Sequence, residues 1–264
     1  MRKIIWGLAL AALLASSAMA QDLRAKTGYL KPGTIDIMAV LPAAPVAGEG
    51  RYDADRAIFK ATRRFVGTPR WEMATKDVSW QDADMLRDFS CALGVEVTPA
   101  KAPRILKLLT KAGNDTQRET NVAKKANKRL RPFLIDEGQI CQPLEELKDS
   151  YDYPSGHTTG GWTWALVLAD VVPDRASQIM ARGRAYGESR IVCGAHNASA
   201  VEAGRLSATV TMTSVRSTSA YMRDLKAARA EFAALKKTGK AAAPAVCEAE
   251  RDLVRLNVFA PAVP

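Results

Sequence analysis

The segment Tyr153-Pro154-Ser155-Gly156-His157 and the apolar run that follows it decide the fold of this chain. Proline and glycine on either side of the serine indicate a tight turn, and the run from Ala165 to Val172 indicates a buried helix. Ser155 stands where its oxygen can accept hydrogen bonds from the first backbone N–H groups of that helix, which have no partner inside it. We therefore predict a buried helix that begins at this turn.

The start of such a helix is a natural binding site for an anion. Its first N–H groups point outward, the helix dipole adds partial positive charge, and Gly156 lets an anion approach the backbone. Cationic side chains occur on both sides of the turn, with Lys124 and Arg131 before it and Arg190 after it. Each arginine can bind a phosphate-shaped group through two parallel hydrogen bonds. These features predict a pocket for a phosphoryl group.

The chain contains two histidines, and both lie in these segments. A single histidine is more often structural than catalytic, but here both stand near the predicted anion site. One imidazole can attack phosphorus as a nucleophile, and a second can give a proton to the leaving group. His196 and His157 are the candidates for these two roles. This arrangement favours phosphoryl transfer through a phosphohistidine, with no metal ion and no cofactor.

Three motifs in a fixed order match a known family pattern. A lysine, Lys124, is followed after six residues by Arg131-Pro132; then comes Pro154-Ser155-Gly156-His157; and Ser189-Arg190 is followed after five residues by His196. The chain resembles the class A bacterial non-specific acid phosphatases, which belong to the superfamily of type 2 phosphatidic acid phosphatases and vanadium haloperoxidases. The resemblance extends from about Leu41 to Arg205.

The resemblance implies an all-α fold, a helical bundle of the acid phosphatase and haloperoxidase type, and the absence of alternating strand patterns agrees with it. It also implies that His196 attacks phosphorus, while His157 protonates the leaving alkoxide and later activates water. The residues expected to bind the phosphoryl oxygens are Lys124, Arg131, Ser155, Gly156 and Arg190. The expected reaction is hydrolysis of phosphate monoesters with an acidic pH optimum, because the acid must carry a proton to act.

Two positions depart from the family pattern. After His196 and three further residues the family has an aspartate, where this chain has Ala200, and the tryptophan that usually follows the histidine is replaced by Asn197. Losing a carboxylate that orients a catalytic imidazole can cost up to about 10⁴ in kcat. Glu202 is the next acid, but on a helix it lies roughly 120° from the face of His196. A weakened homologue that binds phosphate or phosphorylated ligands is therefore one alternative.

Two other interpretations use the same residues. Vanadate mimics the geometry of phosphate, so a vanadate-dependent haloperoxidase is an alternative, although the likeness to the phosphatases outside the motifs argues against it. Between Lys101 and Arg131 there are ten lysines and arginines against two acids, which is a composition that nucleic-acid-binding proteins also show. No aromatic residue interrupts these charges. We therefore expect a solvated helix surface and no nucleic-acid partner.

Residues 1–20 have the composition of a secretory signal peptide, with Arg2-Lys3, an apolar stretch of 12 residues from Ile4 to Ala15, and a cleavage site after Ala20. The apolar stretch is too short to span a bilayer, and no later one is apolar enough. We therefore expect a periplasmic protein without stable membrane insertion. Without Arg2 and Lys3, the chain has 36 basic and 28 acidic residues, a net charge of +8.

The rest of the chain divides into three parts. We expect an extended N-terminal arm over residues 21–50, a helical phosphatase domain over 51–236, and a linker with a C-terminal tail over 237–264. Within the domain, residues 79–82 resemble a capping box, and Gly113 is expected to end one helix before Asp115 caps the next. Residues 133–153 are expected to form a loop that shapes access to the site. The oligomeric state stays open, and a homo-oligomer is among the possibilities.

Four cysteines occur after the predicted signal peptide, and an even number favours two disulfides. Four cysteines allow three pairings. We expect Cys91–Cys141 and Cys193–Cys247, so that the second bond would tie the C-terminal tail beside His196.

Overall fold

The computed structural model describes residues 27–260, so the predicted signal peptide at residues 1–20 lies outside the described part. Residues 27–260 form α-helices and short 3₁₀ turns, with no β-strand among them, and the all-α prediction is confirmed. No helix in this range is long and apolar enough to cross a membrane. The α-helices are α1 (Gly50–Thr62), α2 (Pro69–Lys76), α3 (Asp82–Leu93), α4 (Pro103–Asn127), α5 (Gly156–Val171), α6 (Ala176–Val192), α7 (Ala198–Arg216), α8 (Ser219–Thr238) and α9 (Pro244–Arg255).

Helix α5 occupies the centre of the bundle. It is packed against α4, α6 and α7, and most of its residues are buried. This agrees with its sequence, since a helix that is apolar on all sides is stable only when other helices enclose it. The main apolar core combines side chains from α3 to α8, including Phe89, Leu108, Trp164 and Met212. The first turn of α5, which carries the Ser-Gly-His segment, is therefore held at one end of a rigid bundle.

Two glycines let the neighbouring helices approach the first turns of α5. A Cβ atom at Gly161 would lie 2.2 Å from the ring of Tyr186 on α6, and one at Gly204 on α7 would lie 2.7 Å from the carbonyl oxygen of Ser155. Both distances are far shorter than a van der Waals contact. The absence of a side chain at these positions lets α6 and α7 pack directly against the turn before α5.

Helix α4 is longer than the sequence indicated. It continues without a break through Gly113 and Asp115, where we predicted the end of one helix and the start of another, so that prediction is wrong. The cost of a glycine inside a helix is only about 1 kcal/mol, which the burial of the apolar face of α4 offsets. Asp115 does not cap a helix. Its carboxylate accepts the backbone N–H of Tyr29 at 2.5 Å and of Leu30 at 3.2 Å, and thereby ties the N-terminal arm to α4.

Two other helix ends differ from the prediction. The capping box at residues 79–82 is absent, because Gln81 precedes α3 without a side-chain cap and the hydroxyl of Ser79 donates to Asp84 at 2.5 Å. The sequence pattern also predicts that the helix beginning at about Arg175 ends at about Gly187, but α6 continues to Val192. The motif residue Arg190 therefore lies in the last turn of a buried helix, where packing fixes its position.

The described residues contain two disulfides, as predicted, but the predicted pairing is wrong. The bonds are Cys91–Cys247 and Cys141–Cys193, with Cα–Cα distances of 5.2 and 4.8 Å. The C-terminal segment, which the sequence presented as a linker and tail, contains α9, and this helix packs beside α3 and places Cys247 next to Cys91. The backbone N–H of Cys141 donates to the carbonyl of Cys193 at 3.0 Å. This backbone hydrogen bond, and not the docking of α9, holds the second pair of cysteines together.

Candidate active site

All seven residues predicted for the site lie together where α5 begins. Five of them line one cavity of about 290 Å³: Lys124, Arg131, Gly156, His157 and His196. The other two, Ser155 and Arg190, are fully buried beside it. Ser155 adjoins Gly156 in the chain, and the guanidinium of Arg190 donates to the side chain of Gln142, which also lines the cavity. A larger cavity of about 570 Å³ lies beside the Cys91–Cys247 disulfide and includes neither histidine.

Ser155 caps α5, as the sequence predicted. Its Oγ atom accepts the backbone N–H of Thr158 at 3.3 Å and the hydroxyl of the same residue at 3.0 Å. Its backbone N–H donates to the carbonyl of Ala200 on α7 at 2.9 Å. Neither side-chain bond uses the hydroxyl hydrogen of Ser155, so the serine retains a donor for a ligand at the helix start.

The partners of His196 define its tautomer. Nη1 of Arg131 lies 3.0 Å from Nε2 of His196, and because a guanidinium can only donate, Nε2 is the nitrogen without a hydrogen. Nδ1 therefore carries the hydrogen, and it donates to Oδ1 of Asp152 at 3.0 Å. This arrangement leaves a lone pair on Nε2, which is the form of imidazole that can attack phosphorus.

Asp152 was not among the residues predicted for the site. It is fully buried and lies two residues before Pro154, which is the only signal in the sequence that could have drawn attention to it. Glu202, which helical geometry ruled out as a partner of His196, is exposed on α7. The carboxylate beside His196 therefore comes from the loop before α5.

His157 has the opposite tautomer. Nε1 of Trp80 lies 3.2 Å from Nδ1 of His157, and because an indole can only donate, Nδ1 has no hydrogen. Nε2 carries the hydrogen and donates to the carbonyl of Val78 at 3.0 Å. The two rings also contact each other, with centroids 4.4 Å apart and planes tilted by 49°. Trp80, a second residue that sequence reasoning missed, lines the cavity together with His157 and donates to its Nδ1 atom.

The cationic side chains of the site crowd one another. Burial and the charge of Arg131 lower the pKa of Lys124 to about 7, and burial lowers the pKa of both Arg131 and Arg190. Within the described residues, Nε and Nη1 of Arg190 are buried and have no hydrogen-bond partner. Buried N–H groups are normally paired, so a cluster of positive charge with unused donors is a site that an anion would stabilise.

Both histidines are biased towards their neutral forms. Burial lowers the pKa of His157 well below 6.5, and the charge of Arg190 lowers it further. Burial and the charge of Arg131 lower the pKa of His196 in the same way, against the opposing effect of Asp152. Among residues 27–260, no group of three or more His, Cys, Asp or Glu side chains could hold a metal ion.

Comparison with known proteins agrees with this geometry. A family model described as the PAP2 superfamily matches residues 107–223. The acid phosphatase of Zymomonas mobilis is 32% identical over 257 residues, which cover 95% of this chain and 97% of that protein. The non-specific acid phosphatase of Providencia stuartii is 36% identical over 213 residues, 79% of this chain and 86% of that protein. The non-specific acid phosphatase of Salmonella typhimurium is 34% identical over 198 residues, 73% and 78% of the two chains.

The chain belongs to the class A bacterial acid phosphatases. The family resemblance predicted from the three motifs is therefore confirmed. In this acid phosphatase the motif residues come from four places in the fold: the end of α4 and the loop after it, the start of α5, the last turn of α6, and the loop that leads into α7. The departures at Asn197 and Ala200 lie at the N-cap and in the first turn of α7.

Proposed function

We propose that this acid phosphatase hydrolyses phosphate monoesters in the periplasm through a phosphohistidine on His196, without a metal ion. The observation that carries the proposal is the pair of opposite tautomers at one cationic cavity. Nε2 of His196 has no hydrogen and carries a lone pair for attack, and Nδ1 of His157 also has no hydrogen and can take up a proton. A nucleophile needs the first of these forms, and the second becomes a proton donor once Nδ1 of His157 has taken up its proton.

The cations account for binding of the phosphoryl group. Lys124, Arg131 and Arg190 lie around the start of α5, and the unused nitrogens Nε and Nη1 of Arg190 supply N–H donors for phosphoryl oxygens. The backbone N–H of Gly156 and the hydroxyl of Ser155 add neutral donors at the positive end of the helix dipole. In phosphoryl transfer negative charge spreads over the three equatorial oxygens, so donors placed there stabilise the transition state more than the free substrate.

The reaction then has two halves. Nε2 of His196 forms a bond to phosphorus as the bond to the leaving oxygen breaks, and His157, protonated on Nδ1, gives its proton to that oxygen. Neutral His157 next accepts a proton from water, whose oxygen attacks phosphorus as the phosphorus–nitrogen bond breaks. Inorganic phosphate leaves, and both histidines return to their starting states.

An acidic optimum follows from the state of His157. Burial and the charge of Arg190 keep its pKa low in the free enzyme, but a bound phosphoryl group with two negative charges raises it. The first half of the reaction needs protonated His157, so turnover falls as the pH rises above its pKa in the complex. Two disulfides fit an oxidising compartment, and together with the predicted signal peptide they support a periplasmic location.

The test is hydrolysis of p-nitrophenyl phosphate between pH 4 and 8 with EDTA present, for the wild type, His196→Ala and the surface control Asp174→Asn. We expect activity in EDTA that His196→Ala abolishes and Asp174→Asn keeps. Rapid acid-free quenching with ³²P-labelled substrate should trap a label that is stable in alkali and lost in acid, as a phosphorus–nitrogen bond requires. Activity retained in His196→Ala, or activity lost in EDTA and restored by a metal ion, contradicts the proposal.

The alternatives predict different results. Tight binding of phosphate without turnover would support the weakened homologue that Ala200 suggested. Oxidation of halide that appears only with vanadate and peroxide would support the haloperoxidase.

A further inference from the structure

We propose that Asp152 is the positioning residue that holds His196 in its reactive tautomer, and that Asn197 in turn holds Asp152. The orienting carboxylate of this chain would then come from the loop before α5 and no longer from α7, where the family pattern has it and this chain has Ala200. The inference rests on the proposed role of His196 as the nucleophile.

The direct evidence is a buried contact across 44 positions of the chain. Oδ1 of Asp152 accepts the Nδ1 hydrogen of His196 at 3.0 Å, and both side chains are almost completely excluded from water. On the other side of the ring, Arg131 donates to Nε2 at 3.0 Å. The imidazole therefore has an acceptor on one nitrogen and a donor on the other, and only one tautomer satisfies both.

Asn197 fixes the carboxylate of Asp152 at two points. Its backbone N–H donates to Oδ1 at 3.1 Å, and its side-chain amide donates to Oδ2 at 2.9 Å. The family's tryptophan at this position has a larger side chain with an indole N–H, and it lacks the short amide that donates to Oδ2 here. The two departures from the family pattern, Asn197 and Ala200, thus belong to one rearrangement in which Asp152 supplies the carboxylate and Asn197 holds it.

The backbone of Asp152 is also held in place, and the cation nearest its carboxylate is bound by a different acid. The backbone N–H of Asp152 donates to the carbonyl of Arg129 at 2.9 Å. The guanidinium of Arg129 binds Asp55 at 2.8 Å and Ser199 at 2.7 Å, but its distance to Oδ2 of Asp152 is 3.7 Å. Because Asp55 is the closer partner of this cation, the strongest contacts of Asp152 are those to His196 and Asn197.

Burial raises the pKa of Asp152 above its ordinary value, and the hydrogen bonds from Asn197 with the nearby charge of Arg129 offset only part of that effect. Ionised Asp152, held by the hydrogen bonds from Asn197, would stabilise the positive charge that develops on His196 when it bonds to phosphorus. A carboxylate that only anchored the loop would not need to contact Nδ1 of His196 or to be ionised.

The test compares Asp152→Asn with Asp170→Asn, a matched control at the far end of α5. Asp170 binds Arg216 at 2.8 Å and accepts the hydroxyl of Tyr221 at 2.6 Å. It lies about 21 Å along the helix axis from the first residue of α5. With p-nitrophenyl phosphate we expect Asp152→Asn to lower kcat by roughly 10² to 10⁴ and to change KM by less than about threefold. Asp170→Asn should lower the melting temperature but leave kcat and KM unchanged.

A second measurement separates positioning from a structural effect. Long-range ¹H–¹⁵N NMR distinguishes the two tautomers of an imidazole, and this chain has only two histidines, so a His157→Gln variant assigns both. The wild type should show the hydrogen of His196 on Nδ1, and Asp152→Asn should shift it towards Nε2. Unchanged kcat, or lost activity with an unchanged tautomer, would overturn the inference.

Two further variants keep the test decisive. If Asp152→Asn does not fold, Asn197→Ala decides, because it removes one donor to the carboxylate: a roughly tenfold lower kcat supports the inference, and wild-type kcat overturns it. Ala200→Asp alone should give no gain, since Nδ1 of His196 already has an acceptor. Failure of the phosphohistidine mechanism would look different, because His196→Ala would then stay active.

Discussion

The indole N–H of Trp80 donates to Nδ1 of His157 at 3.2 Å, so the nitrogen that would protonate the leaving group is already engaged in the free enzyme. The other ring nitrogen donates to the carbonyl of Val78, which leaves Nδ1 as the position for the catalytic proton. A leaving oxygen must therefore take the place of the indole N–H. Trp80 is 41% exposed at the edge of the cavity, where it has room to move aside.

This contact predicts a change in the pH profile of a Trp80→Phe variant. A donor directed at Nδ1 favours neutral His157, so its removal raises the pKa of the ring, and the alkaline limb of kcat/KM moves to higher pH. Trp162→Phe is the control, because it also loses an indole hydrogen bond, the one to Thr209 at 3.0 Å on the surface. An alkaline limb that moves equally in both variants, or in neither, contradicts the prediction.

The charge of Lys124 predicts how substrate binding depends on pH. Burial and Arg131 lower its pKa to about 7, so Lys124 loses its proton over a range in which a phosphate monoester, with a second pKa of about 6, is already a dianion. Above pH 7 the KM of the wild type should rise by up to about tenfold per pH unit. Lys124→Arg keeps its charge, and its KM should stay nearly constant to pH 9.

Lys125→Arg provides the matched control, since Lys125 is the exposed neighbour on α4. It should keep the wild-type dependence of KM on pH. Equal slopes for Lys124→Arg and the wild type would show that another group is responsible.

The unused donors of Arg190 predict that phosphate stabilises the fold. At a concentration 100 times its Kd, inorganic phosphate should raise the free energy of unfolding by about 2.7 kcal/mol, or the melting temperature by roughly 5 to 10 °C. Arg190→Met should lose much of this response, because the two unpaired guanidinium nitrogens, Nε and Nη1, disappear. The measurement is thermal unfolding with phosphate and with chloride at equal ionic strength, and an identical effect of the two salts would count against an anion site.

Close packing against the turn before α5 predicts opposite effects of two glycine substitutions. Gly204→Ala places a methyl group 2.7 Å from the carbonyl oxygen of Ser155, so we expect a loss of about 1–3 kcal/mol in unfolding free energy and a lower kcat. Gly113→Ala, in the middle of α4 with no atom near the added methyl group, should gain about 0.5–1 kcal/mol and keep its activity. Urea unfolding checks both, and a neutral Gly204→Ala would show that the turn can shift.

The sequence predicted the fold class, because helical periodicity and turn chemistry are local properties. It also identified seven site residues that the structure places together. Three motifs were enough to relate distant parts of the chain to one pocket. Contacts that depend on how loops pack were not accessible in this way. The pairing of Cys91 with Cys247 depends on where α9 docks, and the contact of Asp152 with His196 depends on the path of the loop before α5.

The unbroken course of α4 shows how tertiary contacts outweigh local signals. Gly113 and Asp115 carry the sequence pattern of a helix end followed by a new start, yet the burial of Ile105, Leu108 and Leu109 holds the chain helical on the N-terminal side of the glycine. The carboxylate that would have capped a helix binds the N-terminal arm. The sequence pattern does not reveal this use of Asp115, because the backbone N–H groups that it binds in the arm lie more than 80 positions away.

The contact between Asp152 and His196 bears on how genomes are sorted into active enzymes and inactive relatives. A search that requires an aspartate at a fixed distance after the histidine would discard this chain as a pseudoenzyme because of Ala200. A search for any carboxylate within hydrogen-bonding distance of Nδ1 would retain it. With Asp152 in the positioning role proposed above, counts of pseudoenzymes based on linear motifs would include active chains of this kind.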